Sequence, residues 1–219
     1  MRIICPPRMG LGCGSHMSIP WTQGTWTRTP EASREEGSRL VVEAAEGSDY
    51  WERTLYGFQH ASGHALLTEW PDARGVEVSF ELSHFRELYD QAGLMLWHDR
   101  TSWIKAGVEI NDGVLHVGAV VTNGSSDWSL APVPAWTHGV VTLRASWSED
   151  AVIIRASANG EPWRLLRVAP FPYPRGRRAG PFVCAPKRAG LQVVFTGWRH
   201  TPPDDELHRD PPLPPCAEP

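Results

Sequence analysis

The stretch Ser102-Trp103-Ile104-Lys105-Ala106-Gly107-Val108-Glu109-Ile110-Asn111-Asp112-Gly113-Val114 decides the fold. Up to Ile110 it alternates. Successive side chains of a strand point to opposite faces, so Ile104, Ala106, Val108 and Ile110 share one side and Trp103, Lys105, Gly107 and Glu109 the other. Asp112-Gly113 is the dipeptide that a two-residue hairpin favours, and 114–122 reads as the return strand. Strand, tight turn and strand form an antiparallel unit, and no 3.6-residue period competes with it.

The same period runs outward in both directions. Residues 75–83 alternate, with Val76, Val78, Phe80 and Leu82 on one face, and 92–97 form the continuous apolar run of a central strand. Residues 39–45 and 64–69 are further strands. Downstream, 140–147 and 151–157 bracket a second hairpin at 148–150. Asn159-Gly160 turns into 163–168, and 190–196 closes the domain. Only 85–91 has room for a helical turn. Many short strands with frequent turns predict an all-β sandwich or barrel. The pattern excludes a parallel α/β enzyme.

Composition narrows the function. The chain has 219 residues, is 41% apolar and carries a formal net charge of -4. Such a chain can bury a core, but it lacks the basic footprint of a nucleic-acid binder. Arg175, Arg177 and Arg178 are a local basic cluster, expected on a solvated loop. Eleven Trp stand against 4 Tyr and 6 Phe, which fits a thick core, a stacking platform for flat ligands, or both. The four cysteines, Cys5, Cys13, Cys184 and Cys216, show no metal-ligand spacing, and no metal or cofactor is expected. Cys184, in an apolar run, is expected to be a reduced core thiol, and a cytoplasmic location follows as the default. No apolar run reaches the roughly 18 residues of a membrane span.

Three segments are expected. Residues 1–16 read as a non-native or disordered extension, with Met17 the expected true start. Residues 17–199 form the β-domain. Residues 200–219 hold seven Pro and many charges, and are expected to be a disordered tail.

Longer motifs carry a family likeness. Tyr89-Asp-Gln-Ala-Gly-Leu-Met-Leu96, Trp103 to Gly113, and Val121-Thr-Asn-Gly-Ser-Ser-Asp-Trp-Ser129 resemble the regulation-of-enolase protein family. Trp21 to Thr27, Tyr56 to Phe58, His60 to His64 and Ala179 to Gly190 fit the same pattern. The resemblance implies a concanavalin-A-like lectin/glucanase fold, a jelly-roll sandwich of two curved antiparallel sheets. Related sandwiches are appended to xylosidases and arabinosidases, near a sugar site. The resemblance fixes no activity.

In this fold the concave sheet is the usual ligand face. Trp103, Lys105, Gly107 and Glu109 make a fitting groove lining: an indole to stack on a sugar ring, two groups to bond hydroxyls, and a gap for the ligand. Gln91 is expected to converge on them from the preceding strand, and Asp127 and Trp128 to stand at the groove's edge. The competing reading is a Lys–Glu pair on a solvated sheet, with Asp127 capping amides in a tight loop. Tyr56, His60 and His64 read as structural, because no third metal ligand stands near. A retaining glucanase needs two carboxylates about 5–5.5 Å apart. No strand here carries such a pair, and Glu77 and Glu81 project away from the apolar face.

Three functions therefore compete. The first is a binding module for an oligosaccharide or small sugar, using Gln91, Trp103, Lys105, Glu109, Asp127 and Trp128. The second is an enzyme on a small sugar metabolite, using Glu109 and Lys105. The third is an interaction module regulating a metabolic enzyme such as enolase, with an exposed apolar patch at 132–136.

Overall fold

The structure, a computed structural model, describes residues 16–136, 138–173 and 175–213. The expectations for residues 1–15 and 214–219 lie outside that range. Seventeen strands follow in order: β1 (Met17–Ser18), β2 (Thr25–Trp26), β3 (Ala32–Glu36), β4 (Arg39–Ala44), β5 (Tyr50–Glu52), β6 (Gln59–Ala61), β7 (His64–Glu69), β8 (Gly75–Glu81), β9 (Gln91–Asp99), β10 (Ser102–Asn111), β11 (Val114–Asn123), β12 (Ser126–Pro132), β13 (Val140–Ser148), β14 (Ala151–Ala158), β15 (Arg164–Pro170), β16 (Arg178–Cys184) and β17 (Leu191–Thr201).

They form two large antiparallel sheets. One runs β15-β14-β13-β8-β17-β4-β3, with β1 added on β17. The other runs β12-β11-β10-β9-β16-β7-β2, and β5 and β6 form a separate pair. The apolar faces read from the sequence meet between the sheets: Val76, Val78 and Phe80 from one, Leu94, Ile104, Ala106 and Val108 from the other. At the decisive hairpin Asp112 and Gly113 take φ 50° and 74°, the left-handed pair that such a turn requires.

Four expectations fail for identifiable reasons. Residues 126–129, read with 122–125 as a tight loop, belong to the edge strand β12, paired to β11 from His116↔Pro132 to Thr122↔Ser126. Strand β16 was hidden by Pro181 and by the basic residues before it. Yet it lies between β9 and β7. The basic cluster is not a solvated loop at Arg177, which is buried, sits 4.0 Å above the Trp147 ring and pairs with Asp72. Val133 and Trp136, the large apolar side chains of the patch expected at 132–136, are buried in the main core.

Residues 204–212, within the segment expected as a tail, lie on the larger sheet. Arg144, Arg155 and Glu77 stand in one cross-strand row on the outer face of the larger sheet. Asp204 reaches between the two arginines, accepting from Arg144 Nε at 2.8 Å and Arg155 Nε at 3.0 Å. The Leu207 carbonyl and Asp210 bind Arg155 at 2.6 and 2.8 Å, and Pro212 accepts from the Trp163 indole at 3.1 Å. Counting apolar residues could not reveal this. Residues 204–212 are held because buried guanidinium groups need counter-charges, and Asp204 and Asp210 supply them.

Candidate functional site

The outer face of the seven-stranded sheet can be laid out from its register. One row across it is Trp128, Val120, Lys105, Met95 and Gly180. The next is Leu130, Gly118, Gly107, Gly93 and Phe182. The third is Pro132, His116, Glu109, Gln91 and Cys184. The middle row has three glycines side by side. A Cβ on Gly107 would stand 2.2 Å from the Ala92 carbonyl oxygen, and one on Gly93 2.1 Å from that of Ala106. This bare strip lets the Lys105 side chain cross from its own row to the third. Its ammonium donates to Gln91 Oε1 at 2.9 Å and to Asp49 Oδ1 at 2.8 Å.

Asp49 belongs to a segment that folds back over the sheet. A second apolar cluster pins it there. Tyr50 packs against Trp103 and Trp97, with ring centroids 5.8 and 6.1 Å apart, and Leu67, Met95 and Phe182 complete the cluster. The Tyr50 hydroxyl donates to the Gly63 carbonyl at 2.7 Å, and Ser126 Oγ accepts from the Glu52 amide at 2.9 Å. Beyond Glu52 the chain turns sharply. Arg53, Leu55 and Gly57 all have positive φ, at 59°, 64° and 72°. For the two non-glycine residues this is a strained conformation of the sort that concentrates at functional sites.

Between this cover and the sheet lies a cavity of about 350 Å³. Lys105, Glu109, Gln91 and Val120 line it from the sheet. Asp49, Trp51, Tyr56, Phe58 and His60 line it from the cover, Trp128 from the edge strand and Tyr89 from the β8–β9 link. Its aromatic residues touch one another. Tyr56 and Phe58 stack at 5.2 Å, and Trp51 meets Trp128 edge-on at 6.2 Å. Tyr56 and Trp128 remain 54% and 38% exposed, so flat faces are open to a ligand.

The charges divide unequally. Lys105 is 5% exposed. Burial alone would lower its pKa, but the Asp49 carboxylate in contact with it outweighs burial and leaves it above the ordinary value, so it is a committed cation. Glu109 is 8% exposed, and its Oε1 is buried with no hydrogen-bond partner. Burial raises its carboxyl to about 7; Lys105 opposes the rise and Asp49 adds to it. Cys184, buried behind this floor, has its thiol pushed up by burial, which makes it unreactive.

Of the six residues expected in the site, Gln91, Lys105, Glu109 and Trp128 line the cavity together. Trp103 does not. It is 1% exposed, sealed under Tyr50, with its indole donating to the Arg100 carbonyl at 3.2 Å. Alternation gave its face correctly but could not show what covers it. Asp127 alternates away from Trp128 and pairs with Arg167 at 2.9 Å. His64 is structural: Nε2 accepts from the Ala45 amide at 3.1 Å, Nδ1 faces the Arg28 carbonyl, and burial lowers its pKa. The cover residues Asp49, Trp51, Phe58, Tyr56 and His60 were not assigned to the site. Their signal was an aromatic-rich stretch with no strand period. Among the described residues no group of His, Cys, Asp and Glu could hold a metal ion.

Two packed antiparallel sheets define a β-sandwich that shares its fold with a plant lectin and with part of a xylosidase. The chain belongs to the family described as "Protein of unknown function (DUF1349)", which matches residues 26–203. It is 39% identical to "Regulation of enolase protein 1" of Saccharomyces cerevisiae over 182 residues, 83% of this chain and 91% of that one. A crystal structure of a functionally unknown protein from Saccharomyces cerevisiae shares the fold at TM-score 0.77 and 37% identity, covering 84% of this chain and 99% of the other. Xylan β-1,4-xylosidase from Bacillus halodurans matches at TM-score 0.65 and 15% identity, over 91% of this chain and 41% of the enzyme. The lectin I-B4 of Griffonia simplicifolia matches at 0.53 and 11%, over 82% and 93%. These last two share the fold alone.

Proposed function

We propose that the chain is a binding module for a short carbohydrate-type ligand, held in the cavity between the seven-stranded sheet and the 49–61 cover. One observation carries this. Aromatic faces at Trp51, Tyr56, Phe58 and Trp128 surround a floor of buried, ligand-facing polar groups at Gln91, Lys105 and Glu109. Sugars present an apolar ring face beside a rim of hydroxyls, and such a lining answers both. At about 350 Å³ the cavity is at the small end of the roughly 300–1,000 Å³ typical of small-molecule sites. A chain end or a one- to two-ring ligand suits it better than a longer oligosaccharide.

Trp51 and Trp128 make the test direct. Intrinsic fluorescence, titrated with xylo- and gluco-oligosaccharides of one to four units, should change saturably. Trp128→Ala should weaken binding at least tenfold. If no sugar in the series perturbs the emission, the reading fails.

A second reading rests on Glu109, whose carboxyl near 7 has the proton affinity of a general acid. It requires turnover that disappears in Glu109→Gln. The committed Lys105–Asp49 pair favours binding over this chemistry, because it ties up the second carboxylate.

A further inference from the structure

We infer that the ligand carries a positively charged amine, which sits between the Glu109 carboxylate and the aromatic rim: an amino sugar in preference to its neutral counterpart. The inference rests on the carbohydrate reading and narrows its substrate class.

The argument is one of unmatched charge. A buried carboxyl normally has a partner, because burying it alone is costly. Glu109 lacks one at Oε1 although it lies 92% out of solvent. No neighbouring group reaches Oε1. Lys105, four residues along the same strand face, gives its ammonium to Asp49 and Gln91. Gln91, directly opposite on β9, turns its oxygen to that ammonium. His116, directly opposite on β11, directs Nδ1 to the Val114 carbonyl at 2.9 Å. Asp49 is itself an acid, and Tyr89 a phenol. Lys187 is exposed and forms no ion pair among the described residues. The buried floor of the cavity therefore holds two carboxyls, Asp49 and Glu109, and one cation, Lys105, which is already paired; the second cation of the lining, Lys187, stands in solvent at the rim.

The rim points the same way. Trp51, Tyr56, Phe58 and Trp128 present ring faces or edges to one space, and a cation over an aromatic face is attracted by the ring quadrupole. A neutral sugar would gain stacking from these rings but would leave the carboxyl without a counter-charge. An amine would use both.

The arrangement predicts a proton balance. Burial keeps much of Glu109 protonated near pH 6. Docking an ammonium beside it favours the carboxylate, so the carboxyl proton leaves to solvent as the ligand enters. A neutral sugar releases none.

The test is isothermal titration calorimetry on the full chain at pH 6, in two buffers of different ionisation enthalpy. The ligands are glucosamine oligomers of two to four units, the matching cello-oligosaccharides and N-acetylglucosamine oligomers, and tetramethylammonium. The amine series should bind at least tenfold tighter than either neutral series and release a fraction of a proton per ligand. In Glu109→Gln the ratio should fall below threefold and the release should vanish. Cello-oligosaccharides binding as tightly as the amine series would overturn this inference and leave the carbohydrate reading intact. Tetramethylammonium matching the amino sugars would support the cation site and overturn the carbohydrate reading. An amine preference unchanged in Glu109→Gln, or amine binding without proton release, overturns the assignment to Glu109. No binding by any of them overturns both.

Discussion

Lys105→Met tests how the site is held together. The ammonium joins the cover to the sheet through two short hydrogen bonds, to Asp49 at 2.8 Å and Gln91 at 2.9 Å. Charge-assisted hydrogen bonds contribute about 1.5–3 kcal/mol each, and a buried acceptor left alone costs about 1–3 kcal/mol. Gln91 is buried and would be such an acceptor, whereas the Asp49 side chain is 21% exposed and recovers water. Methionine returns some apolar packing. The net loss should be about 2–4 kcal/mol, or roughly 5–15 °C in Tm for a chain of this size. A double-mutant cycle with Asp49→Asn isolates the bridge. The coupling measured by thermal or urea denaturation should be about 1–3 kcal/mol. A coupling under about 0.5 kcal/mol would show that the cover is held by its other contacts, Tyr50 packing and the Glu52–Ser126 hydrogen bond, and would refute the bridging role of Lys105.

Other outcomes follow from the same geometry. Glu109 is raised from 4.5 to about 7 in the fold, so the folded state binds the extra proton between those values. Its contribution to stability is present below pH 4.5 and lost as pH rises through 7, by a few kcal/mol; Glu109→Gln should flatten stability over that window and exceed the unmodified chain at pH 8. Asp204→Ala leaves Arg144 and Arg155 without their shared carboxylate, which should cost about 3–5 kcal/mol in urea unfolding. Gly107→Ala drives a Cβ to 2.2 Å from the Ala92 carbonyl oxygen and should cost about 2 kcal/mol or more, measured by calorimetry. Trp103→Ala should act as a core deletion of about 3–5 kcal/mol, reducing binding only through the stability of the cover.

The sandwich was legible because its strands obey a period of two and its hairpins carry their own turn chemistry. Val76 to Leu82 and Ile104 to Ile110 needed nothing else to declare a core face. Strand β16 was not legible, since a proline and a basic run obscure a strand whose pairing is decided by its neighbours β9 and β7. The site was half legible. Alternation put Lys105 and Glu109 on one face and the register brought Gln91 beside them. Trp103 obeys the same alternation, yet it is buried because Tyr50, fifty-three positions earlier, lies on it. Which outer-face residues see solvent is a tertiary fact. So is the ion pair between Lys105 and Asp49, and so is the docking of residues 204–212 on two buried arginines, for which no local pattern exists.

A crystal soaked with a two-unit sugar tests the binding site most directly. Ligand density should lie against Trp128 and Tyr56, with polar atoms within hydrogen-bond distance of Glu109 and the Lys105–Gln91 pair. A sugar that saturates in solution but sits elsewhere on the molecule, with this cavity filled only by water, would contradict the account.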